Sequence, residues 1–229
     1  MTKTSDKIIV ALDVPTKNEA LSLVERLGDQ VSFFKIGLQL YTAAGPEVVR
    51  EVLRTGAKVF LDLKLYDIPN TVARAVESAV ELGVQMLTVH LSGGEAMIRA
   101  AVSARKGKMA ILGVTVLTSF DEQMLRELGV KSTIEEQVLR LAKIGEVAGV
   151  DGLVVSPEEI EVIQGQFSNQ FEIVVPGIRP SWTNPGDQKR VMTPREAVAA
   201  GADYLVIGRP IIADKNPPEA AAKIIQEIG

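Results

Sequence analysis

The sequence contains no cysteine, which excludes disulfides, thiolate catalysis and cysteine-ligated zinc. It has no basic block or stripe, and its formal net charge is −4, so a nucleic-acid surface is not expected. A small phosphorylated ligand stays open, because it needs only one or two local cations or backbone N–H groups. No apolar run approaches the roughly 18 residues of a membrane span. The polar opening Met1–Lys7 and the short run Ile8–Leu12 lack the apolar core of a signal peptide. A soluble, cytoplasmic protein with no membrane partner is the resulting expectation. No Ser/Gly linker or low-complexity run divides the 229 residues, so a single domain spanning 1–229 is expected, long enough for one large core.

What is present is an alternation of β-rich runs and helical patterns. The strand candidates are Ile8–Asp13, Ser32–Gly37, Ala57–Lys64, Gln85–His90, Met109–Thr118, Gly152–Ser156, Glu172–Pro176 and Asp203–Gly208. Most are rich in β-branched residues and leucine, as strands buried on both faces should be. Helical stripes lie between them: Val72, Ala75, Val76, Ala79 and Val80 in Asn70–Leu82, and Ile134, Val138, Leu141 and Ile144 in Lys131–Val147. Ala221, Ile224, Ile225 and Ile228 repeat the spacing near the end. At Gly83, Gly149 and Gly201 a helical pattern stops at a glycine and passes almost directly into a strand. Eight such units predict an α/β fold, a closed (β/α)8 TIM barrel, over an open doubly wound sheet. The least regular stretch, Gly177–Met192, reads as a loop long enough to serve as a lid.

In such a barrel the chemistry belongs at the C-terminal strand ends. The unusual polar residues fall there. Asp13 follows Ile9 and Ala11 at alternate positions, Lys35 follows Phe33, and Asp62-Leu63-Lys64 ends the third run with both charges on one face. His90, the single histidine, ends the fourth run and Thr118 the fifth; Arg179 follows the seventh, and Gly208-Arg209 the eighth. Asp67 stands three residues past Lys64 as a possible further acid. Opposite charges ~4 Å apart attract by about 4 kcal/mol at an effective dielectric near 20. Alternating acids and lysines would therefore hold Lys64 protonated and in place, as a proton donor more than a nucleophile. A structural ion-pair cluster closing the barrel mouth fits the spacing equally well. Gly208-Arg209 fits the phosphate position of many barrels, with a turn glycine beside a surface arginine as the alternative. His90 reads better as a hydrogen-bonded core residue than as an acid or base, and Trp182 is undecided.

The segment Asp62-Leu63-Lys64-Leu65-Tyr66-Asp67-Ile68-Pro69-Asn70-Thr71 resembles the signature of the orotidine 5′-phosphate decarboxylase family, especially its short bacterial form. Ile9–Val14, Phe34-Lys35-Ile36-Gly37, Val116-Leu117-Thr118-Ser119, Pro176-Gly177-Ile178-Arg179-Pro180 and Ile207-Gly208-Arg209-Pro210 resemble the family's other segments, in order. The resemblance implies a homodimeric, cofactor-free enzyme converting orotidine 5′-monophosphate to UMP. On it, Lys64 protonates C6 of the pyrimidine and Asp62 lies beside the departing CO2. Asp13 and Lys35 contact the ribose, and Lys35 also joins the charged array. Asp67, Ile68 and Thr71 reach the partner subunit's site. Thr118 lies at the pyrimidine, Arg179 and Gln188 belong to the closing loop, and Gly208 and Arg209 hold the phosphate. Leu63, Leu65, Tyr66, Pro69 and Asn70 are counted with the substrate-binding segment. Tyr66 departs from the resemblance, standing where a histidine is common. A Mg2+-dependent phosphosugar decarboxylase or aldolase, sharing Asp-x-Lys-x-x-Asp, is the nearest rival, and a non-catalytic nucleotide sensor is the rival from another class.

Overall fold

The protein is described by a computed structural model over residues 4–183 and 192–229. The eight expected strands form. They are β1 (Ile8–Ala11), β2 (Phe33–Gly37), β3 (Lys58–Leu65), β4 (Met86–His90), β5 (Ala110–Val114), β6 (Gly152–Val154), β7 (Glu172–Val175) and β8 (Tyr204–Ile207). All pair in parallel in sequence order, and β8 closes onto β1. The helices outside the barrel are α1 (Lys17–Leu27), α2 (Leu38–Ala44), α3 (Pro46–Arg54), α4 (Pro69–Leu82), α5 (Gly94–Ala104), α6 (Glu122–Glu127) and α7 (Ile134–Ala148). After them come α8 (Ile160–Phe167), α9 (Pro194–Ala200), α10 (Arg209–Ile212) and α11 (Pro217–Ile228). None of the described helices is long and apolar enough to cross a membrane.

Period-two alternation divides the buried residues into two layers. Ile9, Ala11, Phe33, Phe60, Met86, Leu112, Val174 and Val206 point inward and fill the barrel. Val10, Phe34, Ile36, Leu61, Leu87, Val89, Ile111 and Leu205 point outward and meet the helices. The inner layer plugs the barrel below its C-terminal rim, and the inward positions above it begin the wall of the rim. Lys35 stands one step above Phe33, and Asp62 one step above Phe60.

The glycine stops behave as expected: Gly83, Gly149 and Gly201 cap α4, α7 and α9 in the left-handed conformation, with φ of 85°, 84° and 110°. The turns that follow carry a further device at the barrel floor. The Gln85 side chain accepts a hydrogen bond from the Val59 N–H, Asp151 from the Ile111 N–H, and Asp203 from the Ile173 N–H. Each entry to β4, β6 and β8 thus satisfies a backbone donor on the preceding strand.

Several boundaries differ from expectation, three of them for identifiable reasons. The expected helix Lys131–Val147 starts at Ile134, because Thr133 and Glu136 form a reciprocal capping box there. The expected helix from Asn70 starts one residue earlier, with Pro69 at its first turn. The expected strand Met109–Thr118 ends at Val114. Its partner β6 has three residues, and both the N–H and the hydroxyl of Thr115 finish the pairing on the Val154 carbonyl. Val116, Leu117 and Thr118 are thereby released to line the rim.

Candidate active site

A cavity of about 490 Å³ opens at the C-terminal rim. Of the residues expected at the site, it brings together Asp13, Lys35, Asp62, Lys64, Thr118, Arg179, Gly208 and Arg209. Gln39, Val116, Leu117, Pro176 and Gly177 line it as well.

The four charged residues of β1 to β3 form a continuous alternating chain. The Lys35 ammonium lies 3.2 Å from Asp13 Oδ1 and 3.5 Å from Asp62 Oδ2. The Lys64 ammonium donates to both oxygens of Asp62, each at 2.9 Å. Its middle is buried and its ends are more open: the side chains of Lys35 and Asp62 are each 11% exposed, Lys64 is 31% exposed and Asp13 half exposed. Burial pushes the Asp62 carboxyl up, but the Lys35 and Lys64 ammonium groups, with hydrogen bonds from Lys64 and Thr88, outweigh it and hold the group below its ordinary value. Gly37 makes room for this arrangement: a Cβ there would sit 2.8 Å from Lys35 Nζ, which the two carboxylates hold in place.

Lys64 reaches the site by an irregularity. The third strand was expected to run in regular alternation through Lys64, yet its register with β4 slips between Leu61 and Leu65. Leu61 pairs with Leu87 and Leu65 with Val89, so Asp62, Leu63 and Lys64 all lie opposite Thr88. Lys64 takes φ of 49°, the left-handed region, at a cost of about 1–3 kcal/mol for a non-glycine residue. The fully buried Thr88 hydroxyl occupies the gap: it accepts from the Lys64 N–H at 2.8 Å and donates to Asp62 Oδ1 at 3.0 Å. Sequence reading missed Thr88 and Gly37. The signal for Thr88 was its inward position between Met86 and His90, where an apolar residue would be routine.

Other expected residues stand elsewhere. Leu63 and Leu65 pack against the outer, helix-side core. Tyr66, Asp67, Ile68, Pro69, Asn70 and Thr71 are exposed on the turn and the first residues of α4. Asp67 does not join the array in its own chain: it lies past the end of β3, its carboxylate accepts from the Ile68 N–H at 2.6 Å, and it makes no ion pair among the described residues. Gln188 lies outside the described residues. Arg179 donates to the Ile178 carbonyl, and Ile178 bridges to Met192, so both bases of the expected lid are joined. His90 lines a second cavity, with Tyr66 stacked on it at 5.9 Å, and its Nδ1 accepts from the Ser92 N–H. Burial, then the Lys64 charge, pushes the imidazole below its ordinary value. Among the described residues no group of three or more His, Asp or Glu side chains is placed to hold a metal ion.

Residues 6–224 match the model of the orotidine 5′-phosphate decarboxylase / HUMPS family. The chain belongs to that family. Orotidine 5′-phosphate decarboxylase from Moorella thermoacetica is 51% identical over 232 residues, covering 97% of this chain and 92% of that protein. The enzyme of that name from Geobacter sp. is 48% identical over 229 residues, covering 97% and 95%. The crystal structure of orotidine 5′-phosphate decarboxylase from Lactobacillus acidophilus superposes with a TM-score of 0.87 at 35% identity, covering 98% of this chain and 99% of that one. The chain is thus a (β/α)8-barrel member of a decarboxylase family, matched along nearly its whole length.

Proposed function

We propose that the chain converts orotidine 5′-monophosphate to UMP without a cofactor, with Lys64 as the acid that protonates C6. The observation that carries this reading is the unbroken Asp13–Lys35–Asp62–Lys64 chain on one wall of the cavity that Gly208 and Arg209 also line. Decarboxylation breaks the bond between C6 and the carboxylate carbon. CO2 departs and the electron pair stays on C6, a carbon with no electron sink. An ammonium beside C6 stabilises that pair in the transition state and then transfers a proton to it. Lys64 is left as an amine and regains a proton from solvent. Its double hydrogen bond to Asp62 fixes where the charge sits before substrate arrives, so little reorganisation is needed during reaction.

The substrate has a placement that fits the lining. The pyrimidine faces Lys64, Asp62 and Thr118, and the ribose meets Asp13 and Lys35. The phosphate lies at Gly208 and Arg209, with Arg179 beside the ring; the part proposed for Gln188 rests on the resemblance alone. The Mg2+-dependent reading fits less well. A divalent cation needs oxygen ligands, and the carboxylates of Asp13 and Asp62 are already engaged by ammonium groups. The Moorella and Geobacter relatives, named for orotidine 5′-phosphate decarboxylation, favour the orotidine-type activity as well.

The site is further proposed to be completed across a homodimer, with Asp67, Ile68 and Thr71 serving the partner's cavity. Tyr66 and Ile68 are 64% and 67% exposed on the turn that carries Asp67, an apolar surface next to the catalytic strand that a partner would cover.

The test is the ultraviolet absorbance of orotidine 5′-monophosphate mixed with purified protein, with and without EDTA. The expected result is an absorbance loss indifferent to EDTA. UMP binding without turnover would favour the sensor, and loss abolished by EDTA the metal-dependent rival.

A further inference from the structure

The geometry points to Thr88 as a positioning residue for the reaction, one hydroxyl that sets both the backbone of the proton donor and the carboxylate beside it. The inference rests on the reading of Lys64 and Asp62 given above. Opposite the three-residue bulge of β3, the ordinary strand ladder has no partner to offer the Lys64 N–H, and the Thr88 hydroxyl supplies the acceptor at 2.8 Å. The same hydroxyl has one proton to donate, and it goes to Asp62 Oδ1 at 3.0 Å. Thr88 is fully buried, so no water replaces either bond without opening the wall between β3 and β4.

The two bonds do separate things. The bond to the Lys64 N–H offsets the left-handed φ of that residue and aims its side chain back over Asp62 instead of along the strand. The bond to Asp62 fixes the carboxylate plane so that its two oxygens meet the Lys64 ammonium together. A side chain of the same shape without the oxygen would keep the packing and lose both. Proton transfer depends steeply on the position of the donor, so the consequence falls on the chemical step rather than on binding.

The experiment uses the whole enzyme with Thr88→Val and Thr88→Ser, measuring kcat, KM, UMP affinity and the pH profile of kcat/KM. Wild-type turnover of orotidine 5′-monophosphate is measured first; its absence ends the functional reading itself, not this inference alone. Thr88→Val is expected to lower kcat by about tenfold to a hundredfold while UMP affinity changes by less than about threefold. Thr88→Ser, which restores donor and acceptor, is expected to recover most of the loss. The acid limb of the profile is expected to move upward in Thr88→Val, because Asp62 loses one of the bonds that holds its carboxyl low. That carboxyl faces Lys35 from β2 and Lys64 from β3, with Asp13 on β1 and His90 on β4 beyond them, and none of these is altered. If Thr88→Val does not fold, Thr88→Ala against Thr88→Ser makes the same comparison. A folded variant without the hydroxyl that keeps wild-type kcat and acid limb overturns the inference, as does a serine variant no better than valine.

Discussion

At the scale of single residues the site is a problem in holding like charges close to unlike ones. Two lysines share Asp62, and the arrangement is tolerable because that carboxylate also has a neutral donor in Thr88 while Lys35 has a second acid in Asp13. Asp62 has its folded-state value lowered, so its contribution to stability is present above the ordinary 3.8 and is lost as pH falls through the lower folded value. It is therefore ionised throughout the neutral range. On the proposed mechanism, removing Lys64 strips the site of the charge assigned to C6 and leaves in place the groups assigned to phosphate and ribose. Turnover and product binding should accordingly separate. Asp13, Lys35, Asp62 and Lys64 were legible in the sequence because charges at the ends of buried strands need partners or a use. Thr88 was not, because a threonine carries no charge and β-branched residues are common in strands. Asp67 was read from its distance along the chain as a possible further acid of the array; on the turn after β3 its carboxylate accepts from the Ile68 N–H instead.

At the scale of elements, β8 and the loop after β7 hold the end of the cavity away from Lys64. Arg209 opens α10, and the base of the Gly177–Met192 segment is fastened by the Ile178 bridge to Met192 and by the Arg179 N–H on the Met192 carbonyl. Binding energy at a remote phosphate can be used to close such a segment over the ring. Arg209→Ala should lower kcat/KM by about a hundredfold or more, the loss of charge-assisted hydrogen bonds to a dianion. On a substrate lacking the phosphate, free phosphite should partly restore turnover by wild type and much less by the variant. Equal activity on whole and truncated substrates would contradict this use of the phosphate. The strands and their order could be read from the sequence because β-rich runs alternate with helical stripes and glycine stops recur before strands. The early end of β5 and the slipped register of β3 could not. Each depends on how far the neighbouring strand extends, a property of the pair that neither segment carries alone.

At the scale of the molecule, one closed barrel gathers residues from positions 13 to 209 onto a single rim, and its inner layer keeps that rim from draining through the barrel. The proposed dimer adds Asp67 to the partner's rim. Equal mixing of Lys64→Ala and Asp67→Ala subunits gives hybrids in about half the dimers, each with one undamaged site, so activity should recover to about a quarter of wild type. No recovery would place Asp67 in the service of its own chain.

On the proposed mechanism, an ammonium held by Asp62 carries the charge left on the pyrimidine and supplies the proton. The measurement that reaches it most directly is turnover of orotidine 5′-monophosphate by Lys64→Ala, with UMP binding on the same preparation to establish that the cavity is intact. Turnover lower by about a thousandfold or more with UMP affinity retained is the expected result. Near-normal turnover by that variant would contradict it.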